Sequence, residues 1–229
     1  MFRRYRQYKH GEFYVVGVDT SWGGTDYCAA QFLCKTTLDI PTVFHSKQLA
    51  TEMTPQIHLE LERIYDETKV KPVVAYETNN GGTAEIERLA TLNREGKYRI
   101  YTQKSNVGTT NTTEDSVKLG YSTNSATRPH MLQMLKEAID SRVINIHDKP
   151  TINEMFSFII SQTSTSWKAQ AEQGAHDDLI MSLAIAWQLY QTENPEVKRT
   201  KKFQQFYFRH HKRSTVTRYL SRLQTCMNL

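Results

Sequence analysis

Residues 178–190 read "DLIMSLAIAWQLY", a run that after Asp178 is apolar almost wholly around a helix. A helix with no polar face has nothing to turn to water, so the rest of the chain must enclose it. At 229 residues the chain is long enough for one full-sized domain with such a core and an appended segment. The helix also opens on two adjacent acids, Asp177 and Asp178, with His176 before them. A buried carboxylate is costly unless it is paired, hydrogen-bonded or holding a cation, and two side by side resist joint ionisation. The start of this helix therefore calls for something positive.

The preceding segments supply what encloses it. "FYVVGVD" (13–19) ends in a Ser/Gly turn and reads as a central strand; "DYCAAQFLCK" and "PTVFHSKQLA" follow as two more, giving an antiparallel meander. Residues 54–69 predict a helix capped by Thr54, with Pro55 in its first turn and Ile57, Leu61, Ile64 and Tyr65 on one face. "KPVVAYET" is a short buried strand closed by "NNGG". A second helix follows, capped by Thr83 and stopped at Gly96, and then a strand at "YRIYT". "RPHMLQMLKEAID" is helical, "RVIN" a short strand, and "KPTINEMFSFII" begins as a helix. Between them, 102–127 is long, polar and without period, which predicts a functional loop. The order of elements describes an α/β fold, a mixed central sheet flanked by helices on both faces.

The longest apolar run is far short of a membrane span, so no contact with a membrane is expected. "MFRRYRQYKHGEFYVV" lacks the apolar stretch and cleavage site of a secretory signal. Cys28, Cys34 and Cys226 form neither a closed disulfide set nor paired zinc spacing, which fits a reducing compartment. The net charge of +5 is unevenly placed. Residues 193–229 hold nine Lys/Arg against two Asp/Glu, leaving 1–192 with twenty against twenty-two. A uniformly basic surface is excluded; the excess lies in a tail where cations alternate with aromatics, as suits phosphate backbones or an acidic partner. Two short helices are expected there, the second marked by Val216, Tyr219, Leu220 and Leu223.

Asp19 and Glu77 each end an apolar strand, and Asp177 and Asp178 open the buried helix. Singly, each has a plainer reading: a turn former, a solvent-facing strand end, an ordinary acid in a helix's first turn. Together they point to one site. If the two strands are parallel neighbours, their ends lie about 5 Å apart, and the helix start adds the positive end of its dipole. Carboxylate oxygens in such a cluster suit Mg²⁺ or Mn²⁺. A cation would answer the repulsion at Asp177 and Asp178.

"YVVGVDTSWGGTDYCAAQF", "VVAYETNNGG" and "GAHDDLIMSLAIAW", in this order, resemble the nuclease domain of phage large terminase subunits, in the ribonuclease H-like/retroviral integrase superfamily. The resemblance spans roughly residues 13–190. It implies a ribonuclease H-like fold and endonucleolytic cutting of concatemeric double-stranded DNA during genome packaging. It further implies two divalent ions clamping the attacking water and the leaving oxygen. Asp19 would bridge both ions, Glu77 would hold one, and Asp177 or Asp178 the other, with His176 beside the metal and Asn79, Asn80, Gly81 and Gly82 matching the loop after the second acid. Lys104, Lys118 and Arg128 are candidate DNA phosphate contacts.

No phosphate loop of the form G-x-x-x-x-G-K-[ST] is present, so a packaging ATPase is expected elsewhere, in the same protein or a separate chain. The segmentation that follows is a linker remnant at 1–12, a nuclease domain at 13–192 and the basic aromatic tail at 193–229. The portal or small terminase subunit are the implied partners, and the host cytoplasm the implied location. A junction resolvase or transposase of the same fold shares the acids. An actin- or sugar-kinase-like ATP-binding domain would need a second, similar loop that the sequence lacks.

Overall fold

In a computed structural model of the protein, the structure describes residues 1–196 apart from 22, 24, 25, 80, 105–116, 164, 165 and 172–175, with the backbone alone at 104, 117, 158–163 and 166–171. Six strands make the central sheet: β1 (Phe2–Arg4), β2 (Tyr14–Asp19), β3 (Cys28–Cys34), β4 (Asp39–Ser46), β5 (Val73–Tyr76) and β6 (Arg99–Ile100). Their order is β1-β4-β3-β2-β5-β6. The first four pair antiparallel, while β5 runs parallel to β2, and β6 to β5.

Strand parity sorts the side chains onto two cores. Tyr14, Val16, Val18, Val74 and Tyr76 pack with Met53, Ile57, Leu61, Ile86 and Leu89 of α1 (Ala50–Thr68) and α2 (Gly82–Leu92). Val15, Val73 and Ala75 face the other way, onto α3 (Thr127–Asp140) and α5 (Asp178–Thr192). α4 (Lys149–Ser157) also lies against α5. The helix apolar all round is thus α5, buried along nearly its whole length. It rests directly on β2 because position 17 is glycine: a Cβ there would stand 2.1 Å from the Ser182 carbonyl oxygen and 2.4 Å from the Ala186 nitrogen.

Several expectations are corrected. Residues 1–12 are not a linker: β1 is an edge strand of the sheet, Phe2 packs edge-on to Phe44 with ring centroids 5.0 Å apart, and Arg3 and Arg4 pair with Asp148 and Glu60. α1 begins a turn earlier than Thr54, whose hydroxyl donates to the Ala50 carbonyl. Pro55 therefore sits inside the helix. The proline ring has no N–H to give its fourth preceding carbonyl, and Arg88 donates to that oxygen, of Thr51, at 2.6 Å. α2 starts behind Gly81, at φ 83°, and not behind Thr83, and Asn93 rather than Gly96 ends it. "RVIN" forms a single bridge, Asn145 with Asp39. After α4 the chain enters an antiparallel hairpin, β9 (Phe158–Thr163) and β10 (Ser166–Ala171), that helical periodicity did not indicate. Within 102–127, β7 (Thr102–Lys104) pairs antiparallel with β8 (Val117–Leu119).

Met1–Pro195 forms one compact unit. Just past α5, the Glu193 and Asn194 carbonyls accept from Lys35 and Arg99. The two helices expected in the tail lie outside the described residues. Among the described residues no helix is long and apolar enough to cross a membrane.

Candidate active site

Parity and register build the site. Asp19 is the last residue of β2 and continues the face of Val15 and Gly17, toward α5. Val18 is in register with Tyr76, so the next residue of each strand is an acid: Asp19 beside Glu77. The Glu77 N–H donates to the Val18 carbonyl at 2.8 Å, which carries the parallel ladder to the end of both strands. The turn behind Glu77 is tight enough to demand Gly82, where a Cβ would fall 1.6 Å from the Glu77 carbonyl oxygen. α5 then brings Asp178 and Asp177 to the same place.

The result is a cleft of about 640 Å³ lined by Asp19, Glu77, Asp177, Asp178 and His176, and also by Ser21, Asp26, Asn79, Thr123 and Arg128. Asp19, Glu77 and Asp178 are all buried, at 8%, 6% and 9% exposure. Burial is the largest influence on Asp19, and the neighbouring Glu77, Asp178 and Asp177 carboxyls add to it, so its carboxyl is held well above the usual range. Asp178 is pushed up to about 6 by burial first, with Asp177 adding to it. Glu77 is fixed by neighbours: its Oε1 accepts from the Thr123 hydroxyl and, at 3.2 Å, from Asn79 Nδ2. Asn79 also donates to Thr123 Oγ1 at 2.7 Å, closing a three-residue clasp.

The two helix aspartates differ in surroundings. Asp177 carries an ion pair with Arg128 of α3, Nη2 to Oδ2 at 2.5 Å. Asp178 Oδ2 instead accepts from the Tyr27 N–H at 3.4 Å, and His176 Nδ1 stands 3.7 Å from it. Neither caps the helix. That duty falls to Glu154 of α4, whose Oε1 accepts from the Ile180 N–H at 2.8 Å. An acid capping from another helix leaves both aspartate side chains to the cleft. Burial, reinforced by Asp178 and Asp177, pushes Glu154 up to about 8.

Of the sequence candidates, the fold brings Asp19, Glu77, Asp177, Asp178, His176 and Arg128 together. Lys118 is exposed on β8 and is not among the cleft-lining residues. The Lys104 side chain, Asn80 and 105–116 lie outside the described residues. Thr123, Asp26 and Glu154 were not indicated by the sequence. Thr123 falls within the 102–127 stretch expected to be a functional loop, where nothing marks it among the other polar residues, and Glu154 falls in a segment read only as the start of a helix.

The donor set fits a hard divalent cation. It consists of carboxylate oxygens, the chemistry that Mg²⁺ and Mn²⁺ take. Asp19, though buried, has no ion pair among the described residues. Among the described residues no three His, Cys, Asp or Glu side chains stand grouped so as to hold one ion between them. The Asp19–Glu77 pair is in place, and Asp178 faces the same cleft.

Compared with solved structures, the chain is similar to the large terminase nuclease from thermophilic phage G20c with bound magnesium: 18% identity, 84% of this chain and 88% of that one, TM-score 0.59. The Thermus phage P74-26 large terminase nuclease domain matches at 16% identity over 84% and 87%, with a TM-score of 0.60. The G20c nuclease with bound cobalt also matches at 16% identity, over 84% and 88%, with a TM-score of 0.60. The fold is that of large terminase nuclease domains. This agrees with the ribonuclease H-like architecture expected of the sequence. No family model and no curated protein sequence matches the chain.

Proposed function

We propose that this domain is a divalent-metal-dependent endonuclease that cuts double-stranded DNA in viral genome packaging, as a terminase nuclease. The observation that carries the reading is the buried Asp19 and Glu77 at the ends of adjacent parallel strands, with Asp178 in the same cleft. A structural role gives no reason to bury acids against acids, whereas a cation makes the arrangement favourable. Asp19, Glu77 and Asp178 would hold Mg²⁺ or Mn²⁺, in one or two ions. Bound there, the metal supplies an activated water and offsets the charge of the phosphodiester, so no side-chain nucleophile is required.

The remaining side chains keep this set in position. Thr123 and Asn79 fix the Glu77 carboxylate, and Glu154 holds the start of α5. Arg128 occupies Asp177, which supports the reading of Asp178 as the metal-facing member of the pair. His176 is a neighbour of Asp178 rather than a necessary ligand. DNA is the substrate this reading assigns, and an ATPase domain, portal and small terminase subunit are the partners it would meet in the host cell.

The test is cleavage of plasmid DNA in Mg²⁺ or Mn²⁺. Asp19→Asn and Glu77→Gln should reduce cutting to background, with Asp178→Asn more damaging than Asp177→Asn. Wild-type cutting by Asp19→Asn would show the carboxylate assignment to be wrong.

A further inference from the structure

A cleft floored by carboxylates repels a polyanion, so a nucleic acid must be gripped by cations at its rim. Arg128 is one rim cation, and Asp177 already engages it. A second cation, Lys47, lies on a different part of the fold, outside the cleft lining but tied to it through Tyr27. Tyr27 precedes β3, and its backbone N–H is the donor to Asp178 Oδ2, so its ring is anchored to the site itself. His45 of β4 stacks on that ring, with centroids 4.3 Å apart and planes at 24°, and His176 meets it edge-on at 5.1 Å. Burial is the first cause holding His45 down to about 4, so its ring is a neutral support. The Lys47 ammonium, in the turn between β4 and α1, sits 5.0 Å from the Tyr27 centroid. Lys47 is exposed and makes no ion pair with any described residue.

The exposed lysine is thus held by a ring and not by a carboxylate. A cation–π contact positions an ammonium without neutralising it, so its charge and its N–H donors stay available to an anion. We propose that Lys47, seated on the Tyr27 platform, is a DNA-binding residue that takes a backbone phosphate of the duplex beside the scissile position. The inference rests on the nuclease reading of the cleft. Tyr27 gives it geometric force, because one residue contacts Asp178 through its backbone and Lys47 through its ring. The phosphate contact is thereby tied to the carboxylates through one residue, and contacts to the backbone are what fix a protein's register on a duplex.

The experiment measures the affinity of a short DNA duplex against salt in Mg²⁺, by fluorescence anisotropy. It uses the full chain carrying Asp19→Asn, so that the duplex is held without being cut. Adding Lys47→Ala should weaken binding roughly five- to tenfold near 0.1 M salt and lower the slope of log affinity on log salt by about one. Lys47→Arg should restore both. Tyr27→Phe should bind as the parent, whereas Tyr27→Leu should lose part of the affinity because the lysine is no longer held. An unchanged affinity and slope in Lys47→Ala, with binding by the parent intact, would overturn the proposal and leave the nuclease reading standing. A parent that binds no duplex would remove the nuclease reading and the phosphate contact with it.

Discussion

The domain buries two groups of carboxylates and treats them in opposite ways. Along β1 and the segment after it, each acid meets an arginine. Arg3 makes two hydrogen bonds to Asp148, at 2.5 and 2.9 Å, Arg4 reaches Glu60, and Arg6 reaches both Asp39 and Glu12. In the cleft, Asp19, Glu77 and Asp178 pair with no arginine or lysine among the described residues. Burial acts on both groups in the same direction. At Asp148, burial alone would raise the carboxyl, but Arg3, Tyr5 and Thr151 hold it down to about 2. At Asp19 and Asp178, burial is reinforced by further carboxylates and the shift is upward. The sign of the neighbour, not the depth of burial, decides which way these carboxyls are shifted.

That contrast is open to three tests beyond the cutting and binding assays. The largest effect is expected at Asp148. It carries Arg3 and Tyr5 and also accepts from the Thr151 N–H and hydroxyl at the start of α4. Asp148→Ala strands Arg3 and uncaps that helix, so it should cost about 3 kcal/mol in urea unfolding. Asp19→Asn should do the reverse in EDTA. Removing one of the opposed cleft charges should gain about 1 kcal/mol, roughly 2–4 °C in melting temperature for a domain of this size. A loss of stability in Asp19→Asn would show that the cleft acids are structural after all.

The smallest effect concerns pH. Asp148 has a folded value below its unfolded one, so its contribution is present above about pH 4 and fades as pH falls toward 2. Glu154, at about 8, lies above its unfolded value. The native protein then binds the extra proton, and stability drains away as pH rises between about 4 and 8. Glu154→Gln keeps an oxygen to cap Ile180 but cannot ionise. Its stability relative to wild type should therefore grow across that window, and a flat difference would mean that Glu154 is not held protonated.

The elements that line the cleft were legible because each announces itself locally. Asp19 closes an apolar strand, Glu77 closes another, and the aspartate pair opens a helix too apolar to be exposed. Boundaries were less legible. Thr54 and Pro55 form a plausible helix start, yet the helix continues back to Ala50 because its face packs and Arg88 satisfies the carbonyl that Pro55 cannot. The basic run at 3–9 looked like a connector because its acidic partners, Asp39, Glu60 and Asp148, lie far along the chain.

By itself the sequence determined the fold class, the three places where acids end apolar elements, and the hard-cation chemistry those oxygens suit. Only the tertiary structure decided what each acid touches. Strand register set Asp19 against Glu77, and the missing side chain at Gly17 let α5 close onto β2. Arg128 was assigned to Asp177 across 49 residues, Glu154 to the Ile180 N–H across 26, and Lys47 to the ring of Tyr27. Such pairs follow from which strands and helices come to lie side by side. A local pattern of polarity reports the face a residue occupies, and the partner on that face is supplied by a distant part of the chain.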